Sequence, residues 1–289
     1  YQRVRQLQLL QDRTAQGSVD ALAAERTLMS AMDQAFQAAD PSVWGEPRNA
    51  IAAVAFVLSG GPPTILATFI TMNPKPPVDD RLVGGVLAYT QGHVEDAATL
   101  LAGVDATKLP PTIAAEVAIA QSALAAKSDP AQAQLLLSQA RLMAPGTLVE
   151  EAAIRRQIFI AGQLHDDAEV QSLARQYLDR FRHSIYAGNF RDRFAAALTH
   201  MDFVNDATQF PRLDDMVASL EPAARAELYL TVALAGVVGG RLTEASLAAA
   251  RALPLEIPGS VGEARAHLYS AGAELGVAKT FDAAVADLA

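Results

Sequence analysis

The sequence predicts an all-α chain built of stacked helical hairpins. Three observations carry that reading: apolar residues recur at helical spacing, almost nothing alternates as a strand does, and one set of offsets recurs along the chain. Val170, Leu173, Ala174, Tyr177, Leu178 and Phe181 fall at i, i+3, i+4, i+7, i+8 and i+11, which is one face of a helix. Leu230, Ala233, Leu234 and Val237 repeat the pattern. No Asn-Gly or Asp-Gly hairpin turn occurs.

In chain order, the pattern predicts helices over 3–16, 19–38 and 47–58, the last stopped by Gly60-Gly61. Helices 62–71 and 79–91 flank the proline-rich Asn73-Pro74-Lys75-Pro76-Pro77. Prolines disfavour helix at their own position and just before it, so 73–78 reads as a loop and a possible sub-boundary. Helices 94–103 and 111–126 follow. Asp129-Pro130 puts a capping side chain before a proline at the first helical position of 130–143, and Pro145-Gly146 stops that helix. Thr147-Leu148-Val149-Glu150 reads as a capping box opening 147–163, with Glu150 reaching back to the N–H of Thr147. His165-Asp166-Asp167 begins 166–181, where acids suit the positive end of the helix dipole. The remaining expected helices are 186–201, 209–218, 222–238 (stopped by Gly239-Gly240), 241–252, 259–275 and 278–288.

The shared offsets say how these helices pair. Gly92 is followed at +5, +9 and +12 by Ala97, Leu101 and Val104. Ser128 is followed at the same offsets by Ala133, Leu137 and Ala140, and Gly240 by Ala245, Ala249 and Ala252. From Ala97 to Ala133 is 36 positions, close to the tetratricopeptide period, in which a small residue lets two helices approach. The stretch from Gln163 to Ala174 reads as a degenerate copy. The expectation is a tetratricopeptide-like solenoid, a right-handed superhelix running over 1–289 as a single unit.

Composition removes whole classes of function. The chain has 289 residues, 51% of them hydrophobic, and carries 23 Lys+Arg against 32 Asp+Glu, a net charge of −9. That apolar content excludes disorder as the main state. With no cysteine, zinc fingers, iron–sulfur clusters, thiol nucleophiles and disulfide frameworks are excluded. The acidic balance argues against general nucleic-acid binding. The longest apolar runs, Ala50–Leu58 and Leu228–Val238, fall short of the roughly 18–20 residues that cross a bilayer. Tyr1 opens straight into an amphipathic pattern, as a processed chain or a fragment would.

Catalytic constellations are missing from the pattern. There is no phosphate-binding glycine loop and no His-Glu-x-x-His. Gly259-Ser260-Val261-Gly262 approaches a nucleophile elbow, but Pro258 holds the first glycine position and no strand precedes it; a loop and helix cap is the better reading. No two of His93, His165, His183, His200 and His267 lie three or four apart, so no helix face presents paired metal ligands. Adjacent carboxylates at Asp79-Asp80, Glu150-Glu151, Asp166-Asp167 and Asp214-Asp215 point about 100° apart on a helix and do not converge as an acid–base pair. A lytic transglycosylase superhelix would need a Glu-Ser motif, and that dipeptide does not occur. No catalytic, metal or cofactor site is expected. One segment is basic against the acidic background: Arg175, Arg180, Arg182, Arg191 and Arg193, with His183 and Tyr186 among them. It reads either as a surface for an acidic partner segment or as a solvated helix face with arginine favoured at a helix C-terminus.

Three stretches carry a resemblance: Val4–Asp12, Ala140–Arg156 and Arg180–Phe190, including Ala144-Pro145-Gly146-Thr147 and Arg182-His183-Ser184-Ile185-Tyr186. They resemble the MotC family of alphaproteobacterial periplasmic motility proteins, most specifically over about 130–190. The resemblance implies a non-enzymatic, exported protein needed for flagellar rotation, whose partner is the periplasmic part of the stator subunit MotB. The family supplies no catalytic residues. The candidate partner-binding residues are Glu150, Arg155, Arg156, Arg175, Arg180, Arg182, His183, Tyr186 and Arg191, in segments that helix capping, core packing and a solvated helix face also explain. A general cell-envelope scaffold is the alternative.

Overall fold

A computed structural model describes residues 1–275. Among the described residues the chain is all-helical, with fifteen α-helices, four short 3-10 helices and no strand. The α-helices are α1 (Gln2–Ala15), α2 (Val19–Gln37), α3 (Pro47–Leu58), α4 (Thr64–Thr71), α5 (Asp80–Thr90), α6 (Val94–Ala102), α7 (Pro111–Ala125) and α8 (Pro130–Met143). They continue as α9 (Leu148–Gln163), α10 (Asp167–Arg180), α11 (Ala187–Leu198), α12 (Pro211–Val217), α13 (Pro222–Val238), α14 (Leu242–Ala252) and α15 (Val261–Leu275). These are the expected helices, within about three residues at each end. The expected helix at 278–288 lies outside the described residues. Periodicity did not reveal the 3-10 helices at Pro41–Gly45, Ala106–Lys108, Asp202–Asn205 and Leu253–Leu255, which are too short to show a face.

The helix ends follow the capping chemistry of the sequence. Asp129 Oδ1 accepts the Gln132 N–H at 2.9 Å, and Asp166 Oδ1 accepts that of Glu169 at 3.0 Å. A Pro-Gly-(Thr/Ser)-x-x-Glu pattern occurs twice. At α9, Thr147 Oγ1 accepts the Glu150 N–H at 3.4 Å, and Glu150 Oε2 accepts the N–H of Gly146. At α15, Ser260 Oγ accepts the Glu263 N–H at 3.1 Å and Glu263 Oε2 accepts the N–H of Gly259 at 2.6 Å. In both, the glutamate bonds the residue before the cap rather than the cap itself. The glycine, at φ +80 or +78, turns its N–H toward the helix start. Ser260 is therefore occupied as a helix cap.

The chain divides into two compact units, 1–157 with 183–185, and 158–182 with 186 onward, the first division falling inside α9. The loop at 73–78 joins α4 to α5 within the first unit.

In the first unit, α1 packs on α2, α5 on α6 and α7 on α8, while α3 lies against α1, α5 and α7. An aromatic cluster anchors its start: Phe36 meets Trp44 and Phe56 edge-on at 5.3 and 5.0 Å, and Trp44 meets Phe69 at 5.2 Å. In the second unit, α13 packs on α14, and both meet α15. Tyr177 stacks on Phe190 with centroids 3.7 Å apart.

The shared offsets mark the buried face of each pairing helix. Ala97, Leu101, Ala133, Leu137, Ala140, Ala245 and Ala252 are all fully buried. The segment read as degenerate follows the same rule one position along: His165 leads at +5, +9 and +12 to Val170, Ala174 and Tyr177, all fully buried. His165 holds φ +55 where Gly92 and Gly240 hold φ +78 and +70, so a histidine does a glycine's work at that turn. This is why the pattern looked lost: the marker residue changed while the backbone did not.

Glycines set the closest approaches. A Cβ on Gly236 would lie 2.9 Å from the backbone nitrogen of Ala245, and one on Gly84 would meet only a Leu100 methyl at 3.3 Å. Gly236→Ala is therefore expected to lose about 1–3 kcal/mol in urea unfolding, although alanine has the better helix propensity by ~1 kcal/mol. Gly84→Ala is the control, expected within about 1 kcal/mol of the parent. Equal midpoints for the two variants would rule out the close approach as the constraint.

Candidate functional site

The nine candidate partner-binding residues fall in both units. In the first, Glu150 is buried in the α9 cap. Arg155 is largely buried and its Nε donates to the fully buried Glu151 at 2.8 Å. Ser184 Oγ donates to the other oxygen of Glu151 at 3.2 Å, and the Ile185 N–H reaches the Thr14 carbonyl at 3.5 Å. A Cβ on Gly17 would clash with the His183 carbonyl, so the backbone of 183–185 lies directly on the turn after α1. This buried cluster gives Glu150 and Arg155 structural work in cap and ion pair. The His183 side chain is exposed.

In the second unit, Arg175 and Arg180 are exposed on α10 and Arg182 is exposed just after it; Tyr186 and Arg191 are partly buried. The Arg180 guanidinium lies 5.6 Å from the centroid of Phe181.

Arg156 belongs elsewhere, in a cleft of about 490 Å³ in the first unit. Two of the stretches singled out in the sequence meet there. Arg5, Gln8, Gln11 and Asp12 line it from α1, and residues from Met143 to Arg156 line it from the end of α8 through α9. Asp12 Oδ1 accepts the Leu148 N–H at 3.0 Å and ties the two together. Burial raises the Asp12 carboxyl, against the lowering effects of that bond and of Arg5.

Glu116, the one charged residue of α7, faces the same cleft. Its Oε1 accepts from Ser59 Oγ at 3.1 Å. Oε2 is closed off from water and has no hydrogen-bond partner. Desolvation pushes this carboxyl up to about 8, with the nearby Asp12 charge adding to the rise and the Ser59 and Gln8 side chains opposing it. Nη1 of Arg156 is likewise buried without a partner. Sequence reasoning missed Arg5, Asp12, Tyr89 and Glu116. The available signal was Glu116 as a lone carboxylate in an otherwise uncharged helix.

Among the described residues, no group of three His, Asp or Glu side chains could hold a metal ion. No helix there is long and apolar enough to cross a membrane.

The family model described as "Chemotaxis protein MotC" matches residues 1–289. The chain belongs to the MotC family. A relative named Chemotaxis protein MotC, from Rhizobium meliloti (strain 1021), is 30% identical over 257 residues, 87% of this chain. The chain spans 57% of the length of that relative. No solved structure matches it. The resemblance seen in three short stretches thus extends over residues 1–289.

The Glu116 carboxyl holds its proton more tightly in the folded chain than in the unfolded one. Its contribution to stability is whole below about 4.5 and is lost as the pH rises through about 8. Thermal or urea unfolding between about pH 5 and pH 9 should show a stability loss that Glu116→Gln reduces by about 1–3 kcal/mol. Parallel profiles for parent and variant would rule Glu116 out as the source.

Proposed function

We propose that the chain is a non-enzymatic periplasmic motility protein that supports flagellar motor rotation by binding the periplasmic part of the stator subunit MotB. The observation that carries this reading is the MotC family match over residues 1–289. The name of the Rhizobium meliloti relative, a chemotaxis protein, supports it. The architecture proposed for it is a tetratricopeptide-like stacking of helical hairpins, supported by the offsets shared by α6, α8, α10 and α14. Helical repeats of this kind present extended faces to peptides and helices rather than enclosing a reaction.

The exposed arginines Arg175, Arg180 and Arg182 are the proposed contacts for an acidic segment of the partner. Guanidinium groups suit that role because they bind carboxylates in a bidentate way and remain charged at any physiological pH. Regulation would require the protein to bind one stator state more tightly than another.

Titration calorimetry against the purified periplasmic region of MotB, at two salt concentrations, tests the reading. Saturable binding that weakens with salt is expected, with a loss of about tenfold or more in the Arg180→Glu/Arg182→Glu variant. No binding at tens of micromolar would overturn the direct partnership and leave a general envelope scaffold as the function. Binding that ignores both salt and the reversal would keep MotB and overturn the arginine surface.

A further inference from the structure

We infer that His165 and His200, in the second unit, form a binding site for a divalent transition-metal ion of the class that imidazole prefers, such as Zn²⁺ or Ni²⁺. The site goes beyond the MotB reading and lies on other residues. The two histidines are 35 positions apart, so no spacing within a helix announces them. His165 lies in the turn between α9 and α10, and His200 follows α11. Both side chains are exposed. His165 Nδ1 stands 2.8 Å from the His200 carbonyl oxygen, and the two ring centroids are 5.9 Å apart, with the rings at 84°.

The bond to the carbonyl decides which nitrogen of His165 is free. A carbonyl only accepts, so Nδ1 carries the proton, and in the neutral ring Nε2 keeps its lone pair. Metal-binding histidines are held in this way: the second ring nitrogen donates to a carbonyl or carboxylate, which fixes the tautomer and orients the ring. The distance agrees. A cation about 2.0–2.1 Å from an imidazole nitrogen lies about 3.2 Å from that ring's centroid, so two rings sharing one stand roughly 5–6.4 Å apart. The His200 ring is exposed, and exposed side chains change rotamer within nanoseconds, so it can turn its own lone pair to the same point.

The backbone supports the choice of residue. His165 holds φ +55, in the left-handed region, at a turn where Gly92 and Gly240 stand in other copies. Glycine takes that conformation without strain, and asparagine takes it readily while its amide can donate the same bond to a carbonyl. What imidazole adds over either is a second nitrogen with a lone pair. The neighbouring charges are already engaged. Asp166 caps α10, and Asp167 pairs with Arg212 at 3.7 Å. Arg241 Nη1 reaches the Thr199 carbonyl at 2.5 Å, and Glu244 matches its charge. With two protein ligands, the ion's other positions go to water. That makes it an exchangeable surface ion, unlike structural and catalytic zinc, which takes three or four protein ligands.

The test uses the whole chain without a histidine tag, and three probes: Zn²⁺, Ni²⁺ and Mg²⁺. Titration calorimetry and histidine-ring NMR should show one saturable Zn²⁺ or Ni²⁺ site per chain, at about 10–100 µM, with the ring signals of His165 and His200 responding. Mg²⁺, which prefers oxygen ligands, should give no response. His165→Asn keeps the turn and the bond to the carbonyl but removes the lone-pair nitrogen, and should weaken binding about tenfold or more. His200→Gln should do the same, whereas His267→Gln, on α15, should bind as the parent does. Circular dichroism and melting report that each variant is folded, and Zn²⁺ should raise the melting temperature of the parent and of His267→Gln alone. No saturable binding at about 1 mM, affinity unchanged in His165→Asn or in His200→Gln, or equal binding of Mg²⁺ would overturn the inference.

Discussion

Ala97, Ala133 and Ala245 are fully buried on helices that pair with a neighbour. Close approach of helix backbones is the constraint on which the rest depends. The chain is half hydrophobic but only 6% aromatic, so its core gains from many small contacts rather than from a few large side chains. Small residues shorten the distance between axes, and the short distance fixes the register of each pair. Gly236, lying on the backbone nitrogen of Ala245, shows the limit of that approach. Where one position in such a contact changes, its neighbours cannot relax without moving a whole helix.

Close packing leaves little room for buried polar groups, so the few present are informative. Most are spent on chain geometry. Glu150 holds the turn before α9, and Glu151 gathers Arg155 and Ser184, drawing residues 183–185 onto the first unit. In the second unit Glu244 pairs with Arg241, and its N–H donates to Asn205 Oδ1 at 3.2 Å. Glu116 and Arg156, which line the first unit's cleft, each keep an unmatched buried atom, as do Thr14 and Glu25.

Local features were legible in the sequence because local chemistry decides them. Asp129 and Asp166 cap helices through their own next few residues, and the +5, +9 and +12 offsets report burial within one helix. The copy at His165 was the exception, since its turn residue departs from glycine while its buried residues keep step. The candidate site was less legible. A stretch that carries the family resemblance put Glu150, Arg155 and Arg156 forward together, yet Glu150 and Arg155 serve a cap and an ion pair while Arg156 lines the cleft.

By itself, then, the sequence determined the helical class, the helix positions, their caps and the MotC kinship, all of which live in spacings of a dozen residues or in short ordered stretches. Only the tertiary structure decided that Arg5, Asp12, Tyr89, Glu116 and Arg156 share one cleft. Those five residues span about half of the chain, and no periodicity connects them. Their meeting follows from how α1, α5, α7 and α9 pack. Burial, which gives Glu116 its proton and leaves Arg156 a bond short, is a property of that packing and of no residue alone.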